Sequence, residues 1–310
     1  MFYHIAIFVL LWAVLSSATT IPLRLMTFNI DCRLCDKHLW HDRLPGLKDT
    51  LSRYSPDIIG IQETMFQEDV TALLKDLEGY SAVCPELEQV EELAWDACIL
   101  YSSRFQVESS DSFWLGPNPD KPGDYDLFNL PRIATYALIK DTKTGESFYF
   151  GSTHFDHGDN TDDGIKPSSN ECVKMSEQLV AFTEDLASEK PFFWTCDCNS
   201  HYDTNAFAIL TNETASTYLV ETWDLSEATQ VVVGEGQNTP DYDHHESIDH
   251  IFLAQTETYK PTLSVSSSFV DMVKYPCLQR MGSFCKDEEM AEGIYASDHY
   301  AIVTDLELFT

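Results

Sequence analysis

The sequence predicts an α/β fold, a four-layer α-β-β-α sandwich in which two mixed β-sheets face each other and helices flank both outer surfaces. Three observations predict it: helical and strand patterns alternate in the first half of the chain, hairpin patterns follow, and the strands are rich in aromatic residues that need cover on both faces. The 310 residues, 44% of them hydrophobic, show no break in composition. Residues 19–310 are therefore expected to form one domain.

The first half of the chain alternates continuous apolar runs, which predict buried strands, with apolar residues spaced three or four apart, which predict helices. The strands predicted here are Leu23–Phe28, the run from Ile58 that ends at Glu63, and Cys98–Tyr101. One helix is predicted by Leu44, Leu47, Leu51 and Tyr54, and a second by Val70, Leu73, Leu74 and Leu77. Pro56-Asp57 separates the first helix from the strand that follows it.

In the second half, the turn Asp141–Gly145 joins the predicted strands Ile133–Ile139 and Ser147–Thr153 as a hairpin. A third helix is predicted by Val173, Leu179, Val180, Phe182 and Leu186. Further strands are predicted at Phe192–Cys198, Ile248–Leu253 and Tyr300–Leu308. The segment Tyr218–Asp243 gives no readable pattern.

The first 18 residues predict a cleaved signal peptide. They contain no Asp, Glu, Lys or Arg, their apolar run covers Ile5–Leu15, and Ser16-Ser17-Ala18 supplies small residues for cleavage. A membrane span needs about 20 apolar residues, so this run is short for one, and no later stretch qualifies. An uncleaved anchor is the alternative, because no Lys or Arg precedes the run. We expect a secreted, extracellular protein with no stable membrane span.

Nine cysteines fit an oxidising compartment, and their odd number leaves at least one unpaired or linked to another chain. Cys277 and Cys285 enclose a short loop and are the best pair by proximity. The C-x-x-C formed by Cys32 and Cys35 favours a structural link over a redox motif, because no thioredoxin-like βαβ pattern surrounds it.

The net charge of −32 and the pI near 4.4 describe a strongly acidic surface. Such a surface argues against a protein that holds nucleic acid on a broad basic face. It does not exclude an enzyme acting on phosphoesters, because a divalent metal ion supplies positive charge locally.

Pairs of polar residues stand at the ends of many predicted strands. These pairs are Asn29 and Asp31, Gln62 and Glu63, His154 and Asp156, Asp197 and Asn199, Ser247 and Asp249, and Asp298 and His299. Residues i and i+2 of a strand face the same way, so several pairs can converge on one cleft. For any one pair, a turn or helix cap is an equally good explanation. Glu63 is harder to explain so, because a carboxylate that ends an apolar strand needs a partner or a metal.

These residue types indicate a metal-dependent phosphoester site. Carboxylate and amide oxygens are what Mg²⁺ prefers, with water and substrate phosphate completing its shell. The sequence has no zinc-type Cys/His spacing, no Walker loop and no G-x-S-x-G elbow, which disfavours a zinc site, nucleotide-driven phosphoryl transfer and a serine hydrolase.

Six of these motifs, in this order, resemble the endonuclease/exonuclease/phosphatase superfamily from about Leu23 to Leu308. They are Thr27-Phe28-Asn29-Ile30, Pro56-Asp57-Ile58-Ile59-Gly60-Ile61-Gln62-Glu63, Thr153-His154-Phe155-Asp156, Asp197-Cys198-Asn199, Ile248-Asp249-His250-Ile251-Phe252 and Ser297-Asp298-His299. Phe113-Trp114-Leu115 and the segment Pro131–Ala137 resemble a secreted and bacterial branch of it. The resemblance implies the α-β-β-α sandwich, with its site at the strand ends.

The resemblance also implies a bound metal. Glu63 would bind Mg²⁺, with Mn²⁺ as an alternative, and Asn29 and Asp298 would help. A metal in this place neutralises phosphoryl oxygens and activates water.

For catalysis, the resemblance implies that Asp197 aligns or deprotonates the attacking water. Asn199 and His154 would hold phosphate oxygens. His299, oriented by Asp249, would stabilise the transition state or transfer a proton, since a carboxylate behind a histidine fixes its tautomer and supports its cation.

The chain departs from the superfamily pattern in two places. Cys196 replaces a glycine that usually precedes the Asp-x-Asn pair, and Cys196 and Cys198 face away from it, which predicts packing or a cross-link behind the site. Asn170-Glu171-Cys172 stands where relatives often carry an arginine, which would alter substrate choice or weaken activity.

Together these features predict a secreted, monomeric, Mg²⁺-dependent phosphodiesterase whose partner is a phosphoester substrate. A nuclease acting on DNA or RNA is favoured by analogy with the superfamily. A sphingomyelinase-like enzyme or a small-molecule phosphomonoesterase is the alternative, which the acidic surface favours. A catalytically inactive binding protein of the same fold is a second alternative, and the presence of all six motifs argues against it.

Overall fold

The computed structural model describes residues 19–33, 39–85, 97–122, 131–156, 160–161, 164–165, 170–225, 230–234, 247–275 and 294–310. The predicted signal peptide, residues 1–18, lies outside the described residues, as do Cys35, Cys277 and Cys285. Within the described ranges, no helix is long and apolar enough to cross a membrane.

Helices and strands alternate early and strands dominate later, as the sequence predicts. The helices are α1 Trp40–Tyr54, α2 Gln67–Leu74, α3 Asn170–Leu186 and α4 Asn205–Leu210. The strands are β1 Thr20–Asn29, β2 Ile58–Gln62, β3 Tyr80–Val83, β4 Ala97–Ser102, β5 Phe105–Leu115, β6 Arg132–Asp141, β7 Ser147–His154, β8 Asn160–Thr161, β9 Gly164–Ile165, β10 Phe192–Asp197, β11 Thr217–Glu221, β12 Gln230–Gly234, β13 Asp249–Thr256, β14 Thr262–Met272, β15 Lys274–Tyr275, β16 Ile294–Tyr295 and β17 Ala301–Phe309.

Two large sheets form the centre of the molecule. The first has the strand order β12-β14-β17-β1-β2-β4-β3, and the second has the order β11-β13-β10-β7-β6-β5. Each is mixed: β1 runs parallel to β2 and antiparallel to β17, while β10 runs parallel to β7 and antiparallel to β13. The prediction of two mixed sheets is confirmed.

The layers follow from strands that are apolar on both faces. Along β1, Leu25 joins the cluster between the two sheets, whereas Met26 joins the cluster under α1 and α2. On the other side, Leu179 of α3 and Phe207 of α4 pack with Trp194 of β10. Continuous apolar runs are expected of strands covered on both sides. The order helix, sheet, sheet, helix confirms the predicted four-layer sandwich.

The two sheets approach closely at a glycine in the middle of β2. A Cβ atom built on Gly60 would lie 1.7 Å from Oγ1 of Thr195 on β10, a separation that no pair of non-bonded atoms tolerates. Glycine is therefore required at this position. The close approach lies just below the edge where the polar strand ends of both sheets meet.

Candidate active site

All eight residues predicted for the site belong to one edge of the sandwich. Asn29 ends β1, Glu63 follows β2, His154 ends β7, Asp197 ends β10 and Asp249 begins β13. Asn199 follows β10, and Asp298 and His299 precede β17. The ladders bring three of them side by side, because Asp197 pairs in register with His154 on one flank and Asp249 on the other.

The turns that leave these strands are conformationally special. Asp31, Glu63 and Asn199 have left-handed backbones with φ of 50°, 63° and 44°. They are three of the four non-glycine residues with positive φ in the described ranges; the fourth, Ser55, caps α1. Such conformations cost about 1 kcal/mol each and concentrate at functional sites. This strain is consistent with a site built on the strand ends.

Asn29 is fully buried and joins the two sheets through its side-chain amide. Its Nδ2 donates to Oδ2 of Asp197 at 2.8 Å and to Oε1 of Glu63 at 3.0 Å. Its Oδ1 accepts the backbone N–H of Asp31 at 2.9 Å. Asn29 therefore fixes the spacing between Glu63 on the first sheet and Asp197 on the second.

His299 lies between two carboxylates. Its Nδ1 is 2.8 Å from Oδ2 of Asp249, and its Nε2 is 3.6 Å from Oδ2 of Asp197. Burial acts to lower the pKa of His299, but the carboxylates of Asp249 and Asp197 outweigh burial and raise that pKa well above 6.5. The raised pKa favours the imidazolium form of His299, which is suited to stabilising an anion or giving up a proton.

Asp197 is a buried carboxylate that stays ionised. Burial acts to raise its pKa, but His154, His299 and the hydrogen bond from Asn29 outweigh burial and lower it. The backbone N–H of Asn199 also donates to its Oδ1, at 3.1 Å. A carboxylate held by this many donors can orient a water molecule and accept its proton.

His154 and Asn199 stand beside Asp197. Nε2 of His154 is 3.4 Å from Oδ2 of Asp197 and 3.2 Å from Nδ2 of Asn199. The same Nδ2 donates to the carbonyl oxygen of Phe155 at 3.0 Å. On the other side of the ring, Nη1 of Arg132 approaches Nδ1 of His154 at 2.9 Å.

Sequence reasoning did not place Arg132 in the site. It stands at the first position of β6, next to β7 in the sheet. The feature of the sequence that could have indicated Arg132 is its position as a charged residue at the start of a strand. From the sequence alone, a buried arginine at this position looks the same as an arginine at an exposed strand end.

The donor set suits a hard divalent cation. One ligand atom from each of Asp197, Asp249 and His299 lies within 4.8 Å of the others, a grouping able to hold a metal ion. Oδ1 of Asp249 is buried and has no hydrogen-bond partner within the described part of the chain.

The carboxylates predicted to bind the metal lie at the same edge. Oε2 of Glu63 accepts the N–H of Cys32 at 2.9 Å. Asp298 has a 71% exposed side chain, with Oδ1 4.0 Å from Nε2 of His299. Carboxylate oxygens of this kind match the preference of Mg²⁺.

A disulfide lies directly behind the site. Cys196 and Cys198 are bonded to each other, and both are fully buried among apolar side chains under α3 and α4. The sequence left open whether these cysteines pack or cross-link behind Asp197, and the structure shows the cross-link. A second disulfide joins Cys84 to Cys98, a pairing that sequence spacing did not suggest. Cys32 is also disulfide-bonded.

Comparisons with known proteins agree with this architecture. No family model matches the sequence, and neither does any curated protein. Solved structures do match the fold. An endonuclease/exonuclease/phosphatase family protein from Bacteroides thetaiotaomicron has a TM-score of 0.74 at 21% identity, over 94% of this chain and 96% of that one.

Two further structures extend the comparison. The mannosyl-6-phosphatase of Bacteroides thetaiotaomicron has a TM-score of 0.71 at 20% identity, over 92% of this chain and 99% of that one. TDP2 from D. rerio, solved with a single-stranded DNA product, has a TM-score of 0.62 at 17% identity, over 92% of this chain and 98% of that one. The protein therefore has the fold of the endonuclease/exonuclease/phosphatase superfamily.

Proposed function

We propose that this protein is a metal-dependent hydrolase of phosphoester bonds. The observation that carries the proposal is the buried, ionised Asp197, flanked by His154 and His299 and held by Asn29 at the shared edge of the two sheets. Solved structures with the same fold include a phosphatase and a protein complexed with a single-stranded DNA product, which supports the same class of reaction.

In this proposal each side chain has a defined role. Asp197 orients the attacking water and takes its proton. His154 and Asn199 bind non-bridging phosphate oxygens. His299, held by Asp249, stabilises the negative charge of the transition state and protonates the leaving oxygen.

Glu63, with Asn29 and Asp298, would hold the divalent metal, Mg²⁺ or Mn²⁺. When bound, the metal supplies charge neutralisation at the phosphoryl group. Asn29 keeps Glu63 and Asp197 in register through the two hydrogen bonds of its amide.

For the substrate we propose nucleic acid as the first candidate, because TDP2, which shares the fold, was solved with a single-stranded DNA product. A small phosphate monoester is the second candidate. It is supported by the net charge of −32, which repels a polyanion, and by the fold shared with a mannosyl-6-phosphatase.

We further propose that the chain is secreted as a monomer after cleavage near Ala18. The disulfides Cys84–Cys98 and Cys196–Cys198 support an oxidising compartment.

The proposal is tested with protein purified from the medium of secreting cells. Plasmid DNA, single-stranded RNA, sphingomyelin and an aryl phosphate monoester are incubated with Mg²⁺ or with a chelator. We expect Mg²⁺-dependent product release from one class of substrate and a loss of about 1,000-fold in Asp197→Asn. N-terminal sequencing of the same sample checks the cleavage site.

The matched control is Asp305→Asn, which removes a carboxylate paired with Arg24 elsewhere on the first sheet. It should hydrolyse the substrate at the wild-type rate. Full activity of a folded Asp197→Asn variant, or activity that survives the chelator, would refute the proposed mechanism.

A further inference from the structure

We propose that Arg132 is a positioning residue that fixes the ring hydrogen of His154 on Nε2 and so makes His154 and Asn199 a pair of donors for one phosphoryl oxygen. The proposal rests on the proposed function, because it assigns the phosphate-binding part of that site. It concerns a residue that acts through His154 and does not itself need to touch the substrate.

The first step is the contact between Arg132 and His154. Nη1 of Arg132 lies 2.9 Å from Nδ1 of His154, and both side chains are buried. A guanidinium has donors and no acceptor. Nδ1 of His154 must therefore present its lone pair, because a hydrogen on Nδ1 would face the guanidinium N–H.

The second step concerns the other ring nitrogen. With Nδ1 acting as an acceptor, the hydrogen of the His154 ring is on Nε2. An acceptor is in place for it, since Oδ2 of Asp197 lies 3.4 Å away. Arg132 thus selects one of the two tautomers from the side of the ring remote from Asp197.

The third step concerns Asn199. Its Nδ2 donates to the carbonyl oxygen of Phe155 at 3.0 Å, which fixes the orientation of the amide. The same nitrogen is 3.2 Å from Nε2 of His154. Because both nitrogens carry hydrogens, neither can accept from the other.

The two N–H groups of His154 and Asn199 repel each other when nothing lies between them. An acceptor that both N–H groups can reach removes this repulsion. Nε2 of His154 is also 3.4 Å from Oδ2 of Asp197, whose carboxylate orients the water in the proposed reaction. An anionic phosphoryl oxygen placed between the buried His154 and the half-buried Asn199 would receive two hydrogen bonds, which are stronger there than in water. Without Arg132, Nε2 could accept from Asn199 and the donor pair would be lost.

The test compares the wild type with Arg132→Met, which removes the donor, and Arg132→Lys, which keeps one. Nitrogen-15 NMR of the His154 ring reports which nitrogen carries the hydrogen. Calorimetric titration with inorganic phosphate measures binding, and kcat and KM are measured with the phosphoester that the wild type hydrolyses. Arg24→Met is the matched control, because Arg24 pairs with Asp305 away from the site.

We expect the Nε2–H form in the wild type and in Arg132→Lys. In Arg132→Met a measurable fraction should move to Nδ1–H, with phosphate binding weaker by about 10-fold and kcat lower by about 100-fold. Arg24→Met should match the wild type in all three measurements.

The proposal is overturned if His154 of the wild type carries its hydrogen on Nδ1, a measurement that needs no variant. Unchanged ring-nitrogen shifts in a folded Arg132→Met variant would overturn it too. If the tautomer and phosphate binding change as expected but the wild type hydrolyses no phosphoester, the role of Arg132 stands and the proposed function fails.

Discussion

Asn29 shows how much of the site depends on one side chain. The sequence predicts it as a metal ligand, and the structure gives its Nδ2 a further task as donor to both Glu63 and Asp197. Removing the amide would leave two buried or half-buried carboxylates facing each other without a shared donor. The hydrogen bond from Asn29 acts to lower the pKa of Asp197, so Asn29 supports the ionised state of Asp197 on which the proposed chemistry depends.

The role of Glu63 as the metal ligand gives a prediction at this scale. Glu63→Gln keeps the shape of the side chain and removes its charge, so we expect calorimetry to show Mg²⁺ binding weaker by about 100-fold or more. Glu68→Gln, a change of the same type in the first turn of α2, should bind Mg²⁺ as the wild type does. If Glu63→Gln binds Mg²⁺ as tightly as the wild type, Glu63 is not the metal ligand, and Asp197, Asp249 and His299 become the better candidates.

The motifs revealed the candidate residues but not their contacts. Alternation along a strand suggested Asp197 and Asn199 together, although Asn199 follows the end of β10 in a left-handed turn. Arg132 and His154 are 22 residues apart and meet through neighbouring strands β6 and β7. A contact of this kind depends on strand pairing and register, which a single sequence does not specify.

At the scale of elements, α1 organises the site from a distance. Arg43 of α1 is fully buried and donates to the carbonyl oxygens of Ile30, Cys32 and Ala296. The first two follow Asn29, and the third precedes Asp298 and His299. One guanidinium therefore ties together two loops that carry predicted metal ligands.

Replacing this arginine should destabilise the fold and loosen the metal site. Arg43→Met leaves several buried carbonyl groups without a donor, and we expect the free energy of unfolding to fall by about 3 kcal/mol or more. Urea denaturation measures this loss, and Arg43→Lys should recover part of it.

The control for this change lies on the same helix. Lys48 of α1 pairs with Asp76, whose side chain is 63% exposed, so Lys48→Met should leave the free energy of unfolding close to that of the wild type. Equal losses in Arg43→Met and Lys48→Met would contradict the organising role of Arg43.

The helices α1, α2 and α3 and most central strands were predictable, because buried elements carry clear apolar periodicity. The long strands β5 and β14 were not. Each contains an irregularity, between Val107 and Ser109 in β5 and between Val265 and Ser267 in β14. A bulge shifts the inward-facing positions by one and so destroys the two-residue alternation that marks a strand.

At the scale of the whole molecule, the net charge of −32 decides how the protein meets its substrate. Raising the salt concentration from about 10 mM to about 100 mM shortens the screening length from about 30 Å to about 10 Å. If the substrate is a polynucleotide, we expect kcat/KM to rise several-fold over this range, because screening removes repulsion. Steady-state rates with long DNA and with an aryl phosphate monoester measure the effect, and the monoester should change less.

A fall of kcat/KM with salt on long DNA would contradict this expectation. It would mean that the cleft presents a local basic surface in spite of the total charge, as nucleic-acid-binding proteins do.

The two hydrogen bonds from the amide of Asn29 make the geometry of the site depend on the distance between the two sheets. Glu63 follows a strand of the first sheet and Asp197 ends a strand of the second. The close approach of Gly60 and Thr195 sets the distance between these two sheets next to the site. Substitutions that repack the core between the two sheets should therefore change the turnover rate, even where the protein still folds.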